Sequence, residues 1–352
     1  MTDPRIKQFA DILVNYSTRI KKNDNVLIIF DSNASPLALE CYKLALKNKA
    51  IVRLKPNLPN FQHTFLKYAG ETALTKTSKV DLLEAKETNK IIRIGGEYNT
   101  REFSNISNDT LSKFRKSFFP IKKIWLKNDW VLTKFPTNAL AQDAEMSLEE
   151  YEDFVFSAVN VDWNKMKVLQ KKIKQRLDSA KQVRIIGKNT DISFSIKDRP
   201  AVMCYGQCNM PDGEVYVCPL EKTTQGFIEY SFPAIYEGKE VEGIKLEFKD
   251  GKVIKATATK NQTLLTKMIN IDSGAKYLGE FGIGLNFGIT QFTKQILFDE
   301  KIGGTIHLAL GMSFEDANGT NKSMLHWDMI KDMREQGEIY LDGKLFQKNG
   351  KF

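Results

Sequence analysis

Residues 26–54 constrain the fold more than any other stretch. VLIIF (26–30) is a continuous apolar run of the kind that forms a buried strand. Ser35-Pro36 follows as a helix start, serine capping the N-terminus and proline at the first helical position. The helix runs through Leu46, and AIVRL (50–54) is a second strand. Strand, helix and strand make a βαβ unit, which commits the chain to a parallel sheet. IIRIG (91–95) and KIWL (123–126) supply further strands, with LSKFRKSFF as a helix between them. Ahead of the unit, Ile6, Phe9, Ala10, Leu13 and Val14 are spaced as one face of a helix. The first part of the chain is therefore predicted to be an α/β domain of Rossmann or flavodoxin type.

The second part differs in character. Ser147 and Glu150 form a capping box that opens a helix to Val159, and a second helix spans about 164–180. Beyond it the runs VRIIG, ISFSI, GFIEYSF, IKLEF and KVIKATAT read as strands, with one helix near Leu264–Ile269. Asp250-Gly251 between IKLEF and KVIKA is a hairpin signal. With 352 residues the chain is long enough for two cores. The division expected is an α/β domain over 1–165 and a mostly β, α+β metal-binding domain over 166–352.

Composition excludes several functions. The net charge of +9 comes mainly from dispersed lysines, and the densest run, KVLQKKIKQR, lies on an amphipathic helix as a solvated face. No arginine-rich patch with interleaved aromatics exists, so nucleic acid is not an expected partner. No apolar stretch suits a membrane span, and MTDPRIKQF has no signal-peptide core, so a cytoplasmic protein without membrane association is expected. Cys41, Cys204, Cys208 and Cys218 are then expected to be free thiols. FDSNASP after the first strand is not a dinucleotide fingerprint, and neither is GEFGIGLNFG, which leaves a nucleotide-binding reading of the first domain unsupported. His63, within FQHTFLKY, reads as a structural histidine on a helix.

The chemistry concentrates in the second domain. His307 in TIHLAL shares a strand face with Thr305 and Ala309, small neighbours that leave room beside an imidazole. His326 and Asp328, two apart on a strand, point the same way. Glu214 opens a strand after a PDG turn, and Glu280 sits between glycines in an apolar strand, where a lone carboxylate needs a partner. Three carboxylates and two imidazoles suit Zn²⁺, Mn²⁺ or Co²⁺. They exceed what one catalytic zinc needs and match two ions that share a bridging carboxylate. No HExxH and no GxSxG is present.

The segments MPDGEVYVCP, AKYLGEFGIGLN, DEKIGGTIHLALG and NKSMLHWDMI, in this order, resemble the motifs of the thermophilic aminopeptidase family, also called the aminopeptidase T or aminopeptidase S type metallopeptidases. PTNALAQDAEMSLEEYEDFVFSA and GEYNTREFSNIS resemble its earlier segments. The resemblance implies that Glu214, Glu280, His307, His326 and Asp328 bind two divalent metal ions, Zn, Co, Mn or Mg. It implies a metallo-aminopeptidase that removes N-terminal residues from peptides as a homodimer. The chain departs from the pattern at Phe314, where the family usually has a tyrosine near the metals, and it is shorter than the better-known members. The expected reaction is hydrolysis by metal-activated water, with Glu280 or, in the DEK turn, Glu300 moving the proton. The alternatives are a metal-dependent amidase on a non-peptide substrate, suggested by Phe314, and a metal-binding homologue with little turnover.

Overall fold

The computed structural model describes residues 3–236 and 238–352. They form two compact units. One comprises residues up to Asn160 together with Gly206–Pro211; the other comprises Val161–Tyr205 and Asp212–Phe352.

The first unit is built on a parallel sheet. Strand β1 (Asn25–Asp31) lies between β2 (Ile51–Asn57) and β3 (Lys90–Gly95), and β4 (Asp129–Lys134) follows β3. The order 2-1-3-4 is that of a flavodoxin-like half. The helix Ser35–Lys47 makes the crossover from β1 to β2. Val26, Leu27 and Ile28 on β1 are almost fully buried, as the unbroken apolar run requires. Where a phosphate loop would begin, Asp31 accepts a hydrogen bond from the Gly96 N–H at 2.9 Å. A fifth parallel strand, Asn209–Met210, joins β4 from far along the chain.

One expected strand is not one. KIWL ends the helix Asn108–Trp125, which continues through Pro120. The reason is side-chain spacing: Phe114 stacks on Phe118, Phe118 packs edge-on against Trp125, and Ile121 is buried on that face. These contacts outweigh the backbone hydrogen bond that proline removes. The strand itself lies just beyond, in DWVLTK.

The second unit is antiparallel. Seven strands form one sheet and five form another. In the seven-stranded sheet, Lys245–Lys249 and Lys252–Thr257 pair across the Asp250-Gly251 turn. Both turn residues have positive φ, 51° and 83°, as a two-residue hairpin loop demands. The five-stranded sheet runs His326–Asp332, Thr305–Gly311, Leu278–Gly284, Glu214–Val217, Val202–Cys204. Its central strands Leu278–Gly284 and Thr305–Gly311 are buried at every residue. Among the described residues no helix is long and apolar enough to cross a membrane.

Candidate metal centre

The five-stranded sheet collects all five expected ligands on one face. Residues paired across antiparallel strands share a face, and the register pairs Glu214 with Gly284, His307 with Gly282, Glu280 with Ala309, Asp328 with Ala309, and His326 with Gly311. Each ligand therefore stands opposite a glycine or an alanine. Four neighbouring strands contribute, so side chains separated by more than a hundred residues of sequence converge above the small ones.

Glycine at position 282 makes room for one of these side chains. A Cβ there would lie 2.0 Å from His307 Nε2. The imidazole thus occupies space that any other residue would fill.

Two triads of candidate ligand atoms result, each within 4.8 Å of one another: Glu214, Glu280 and His307, and Glu280, His326 and Asp328. Glu280 belongs to both. Its Oε1 is 3.3 Å from His307 Nε2, and its Oε2 is 3.3 Å from His326 Nε2. Glu214 Oε2 is 3.4 Å from His307 Nε2, and Asp328 Oδ2 is 3.5 Å from His326 Nε2. Both rings are oriented from behind. His307 Nδ1 donates to the Glu300 carbonyl at 3.0 Å, and His326 Nδ1 donates to the Met312 carbonyl at 2.8 Å. A carbonyl can only accept, so each Nε2 is turned to the carboxylates. This is the usual support of a metal-binding histidine.

Charge in the site is strongly coupled. Burial alone would lower the His307 pKa, but Glu280, Glu214 and Asp328 overcome it and raise it to about 10. For His326 burial is likewise overcome, by Asp328 and Glu280, and its pKa rises to about 12. Burial would raise Asp328, yet His326, His307 and Lys301 bring it down to about 2. Burial pushes Glu214 up to about 8 against the pull of Lys301. Glu214 Oε2 and Asp328 Oδ1 are buried without a hydrogen-bond partner. Carboxylate oxygens left in this way, facing imidazole nitrogens, fit a divalent cation. Protons on the two imidazoles and a metal ion are alternative means of balancing these carboxylates, because imidazole ligates only when its nitrogen is unprotonated.

Glu300 lies beside the triads and in neither. Its backbone carbonyl holds His307, and its side chain pairs with Lys301. Lys301 is fully buried, and its Nζ is also 3.5 Å from Glu214 Oε1. The sequence offered no sign of this lysine beyond the DEK turn, where charged residues normally face water. In the sequence Cys204 reads as a free thiol and Asp212 as part of the PDG turn, yet with Glu214 they form a third group of candidate ligand atoms. All four cysteines are free. His63 sits on an exposed helix face against Asn105, 3.1 Å away. Phe314 lies beside the centre, its ring 4.8 Å from that of His326 and 5.5 Å from that of Tyr216. The Tyr216 hydroxyl donates to Asp316.

The chain matches a family model described as thermophilic metalloprotease (M29) over residues 2–352. Aminopeptidase PepS of Streptococcus thermophilus is 31% identical over 142 residues, 35% of this chain and 33% of that protein. Aminopeptidase 2 of Geobacillus stearothermophilus is 23% identical over 267 residues, 64% of this chain and 63% of the relative. The matched stretches thus span between a third and just under two thirds of these relatives. The solved structure of AmpT from Thermus thermophilus superposes with a TM-score of 0.84, at 18% identity, over 99% of this chain and 98% of that one. That of 2,5-dihydroxypyridine dioxygenase from Pseudomonas putida KT2440 gives 0.64, at 15% identity, over 98% and 96%. Identities this low establish a shared fold, an α/β unit joined to an antiparallel one. The family match goes further and bears out the resemblance seen in the motifs: the chain belongs to the thermophilic metalloprotease (M29) family.

Proposed function

We propose that the protein is a metal-dependent aminopeptidase using two divalent ions. The observation that carries this reading is the shared carboxylate, since Glu280 turns one oxygen to each triad. Glu214, Glu280 and His307 would hold one ion, and Glu280, His326 and Asp328 the other. Bound there, divalent ions supply Lewis acidity, which lowers the pKa of water from about 15.7 to about 7 and polarises a carbonyl. The protein's own groups must then handle the protons. Glu300 is an adjacent carboxylate outside both triads. Burial raises its pKa, with Lys301 opposing. In the reaction Glu300 takes a proton from the attacking water and returns it to the leaving amine. Lys301 keeps the Glu300 side chain turned toward the site. By family resemblance the protein acts as a homodimer, which light scattering tests.

The test is hydrolysis of aminoacyl anilides by protein stripped with chelator and reloaded with Zn²⁺, Co²⁺ or Mn²⁺, beside Glu280→Gln. Turnover restored by metal in the wild type and absent in the variant is the expected result. Two bound ions without cleavage of any aminoacyl amide would sink the peptidase reading. Phe314→Tyr would then show whether the missing phenol is the cause.

A second reading keeps the ligands and changes the reaction. Two imidazoles and a carboxylate also hold mononuclear iron in oxygenases, and the fold is shared with a dioxygenase. One iron per chain and oxygen uptake with an aromatic substrate, without anilide hydrolysis, would favour it.

A further inference from the structure

We propose that the cavity next to His326 and Asp328 receives the side chain of the substrate's first residue and selects an apolar one of about leucine size. This deepens the aminopeptidase reading and rests on it.

The cavity is about 140 Å³ and is contiguous with the metal centre. His326, Asp328 and Ile330, which share one face of the same strand, all line it. A substrate whose amine and scissile carbonyl lie at the ligands has its first side chain within reach of this space. The remaining walls are apolar: Ala234, Tyr236, Phe292, Ile296 and Trp327. Two of them are braced by aromatic partners. Phe292 stacks on Phe232 at 5.0 Å between centroids, and Trp327 packs edge-on against Tyr236 at 5.6 Å. Ile296 is 46% exposed, an apolar side chain at the rim with little protein cover.

Volume sets the size of the guest. At about 140 Å³ the cavity suits a compact aliphatic guest such as the four carbons of leucine. The charge of the lining sets its polarity. Among the described residues Asp299 is the one acid in the lining besides Asp328, and it is engaged: its Oδ1 accepts the Thr293 N–H at 2.7 Å and the Thr293 hydroxyl at 2.9 Å. Burial also pushes its pKa up to about 8. It offers no free carboxylate to a lysine or arginine side chain.

The test uses amino alcohols, which bind without being cleaved. Calorimetric titration of the metal-loaded wild type with alaninol, leucinol, tryptophanol and argininol gives the selectivity directly. Leucinol carries three more carbons than alaninol and is expected to bind on the order of 50-fold tighter. Tryptophanol is expected to gain nothing over leucinol. Ala234→Phe fills the cavity and should collapse the leucinol-to-alaninol ratio to within about threefold. Phe292→Ala opens the opposite wall and should admit tryptophanol, which keeps the test available if the first variant does not fold. Equal binding of leucinol and alaninol, or a preference for argininol, would overturn the proposal. If leucinol is selected but no aminoacyl anilide is hydrolysed, the cavity assignment stands and the peptidase reading falls. If anilides are hydrolysed without regard to side chain, the cavity assignment falls alone.

Discussion

Gly282 shows how closely the site depends on single residues. The missing Cβ makes room for His307, so Gly282→Ala must push the imidazole away from Glu280 and Glu214. Affinity for one ion should fall by at least about tenfold, measured by competition with a chromogenic chelator. A merely overpacked core would lower stability without changing ion affinity. Glu300 makes the complementary case. Glu300→Gln should retain bound metal and lose on the order of 10²–10⁴ in kcat. Loss of metal with activity would make it a ligand. The residues differ in how legible they were. His326 and Asp328 declared themselves by a spacing of two on a strand, because strand side chains alternate. Lys301 did not, because burial of an ammonium depends on Glu214 and Glu300, and Glu214 arrives from another strand.

At the scale of elements, Asp272 ties together the approaches to two ligand strands. Its carboxylate accepts the N–H groups of Gly274 and Ala275, just ahead of Glu280, and the Met324 N–H and Ser323 hydroxyl, just ahead of His326. Burial would raise its pKa, but these donors outweigh burial and hold it below the ordinary aspartate value of 3.8. The sign follows. A depressed carboxyl pKa contributes stability above pH 3.8 that is lost as pH falls through the folded-state value. Asp272→Ala should therefore cost about 1–3 kcal/mol at neutral pH. In urea titrations the gap between the two proteins should close as the pH falls below 3.8 and through the folded-state value. A difference that persists in acid would assign the effect to packing. Elements also show where sequence reading is weakest. Asp250-Gly251 was readable as a hairpin because positive φ at both positions suits few residues. KIWL was misread because a four-residue apolar run fits a helix end as well as a strand, and Phe114 and Phe118 decide between them.

For the whole molecule, ions held by the triads as proposed would link metal binding to folding. An ion that binds only the folded chain stabilises it by about 2.7 kcal/mol at a hundredfold excess over Kd. Thermal unfolding of stripped protein should shift upward on adding Zn²⁺ or Mn²⁺ and shift back with chelator. Glu280→Gln, which removes a ligand from both triads, should respond much less. An equal response in the variant would move the binding elsewhere, for instance to the group of Cys204, Asp212 and Glu214.

The sequence by itself determined most of the elements, the parallel character of the first sheet and the candidate ligand types of the second unit. These follow from periodicity, turn chemistry and the cost of burying charge, all of which act locally. Only the tertiary structure decided which small residue faces which ligand, that one carboxylate serves two triads, and that a lysine is sealed beside them. Those outcomes depend on strand register, and register is settled by pairing between segments tens of residues apart.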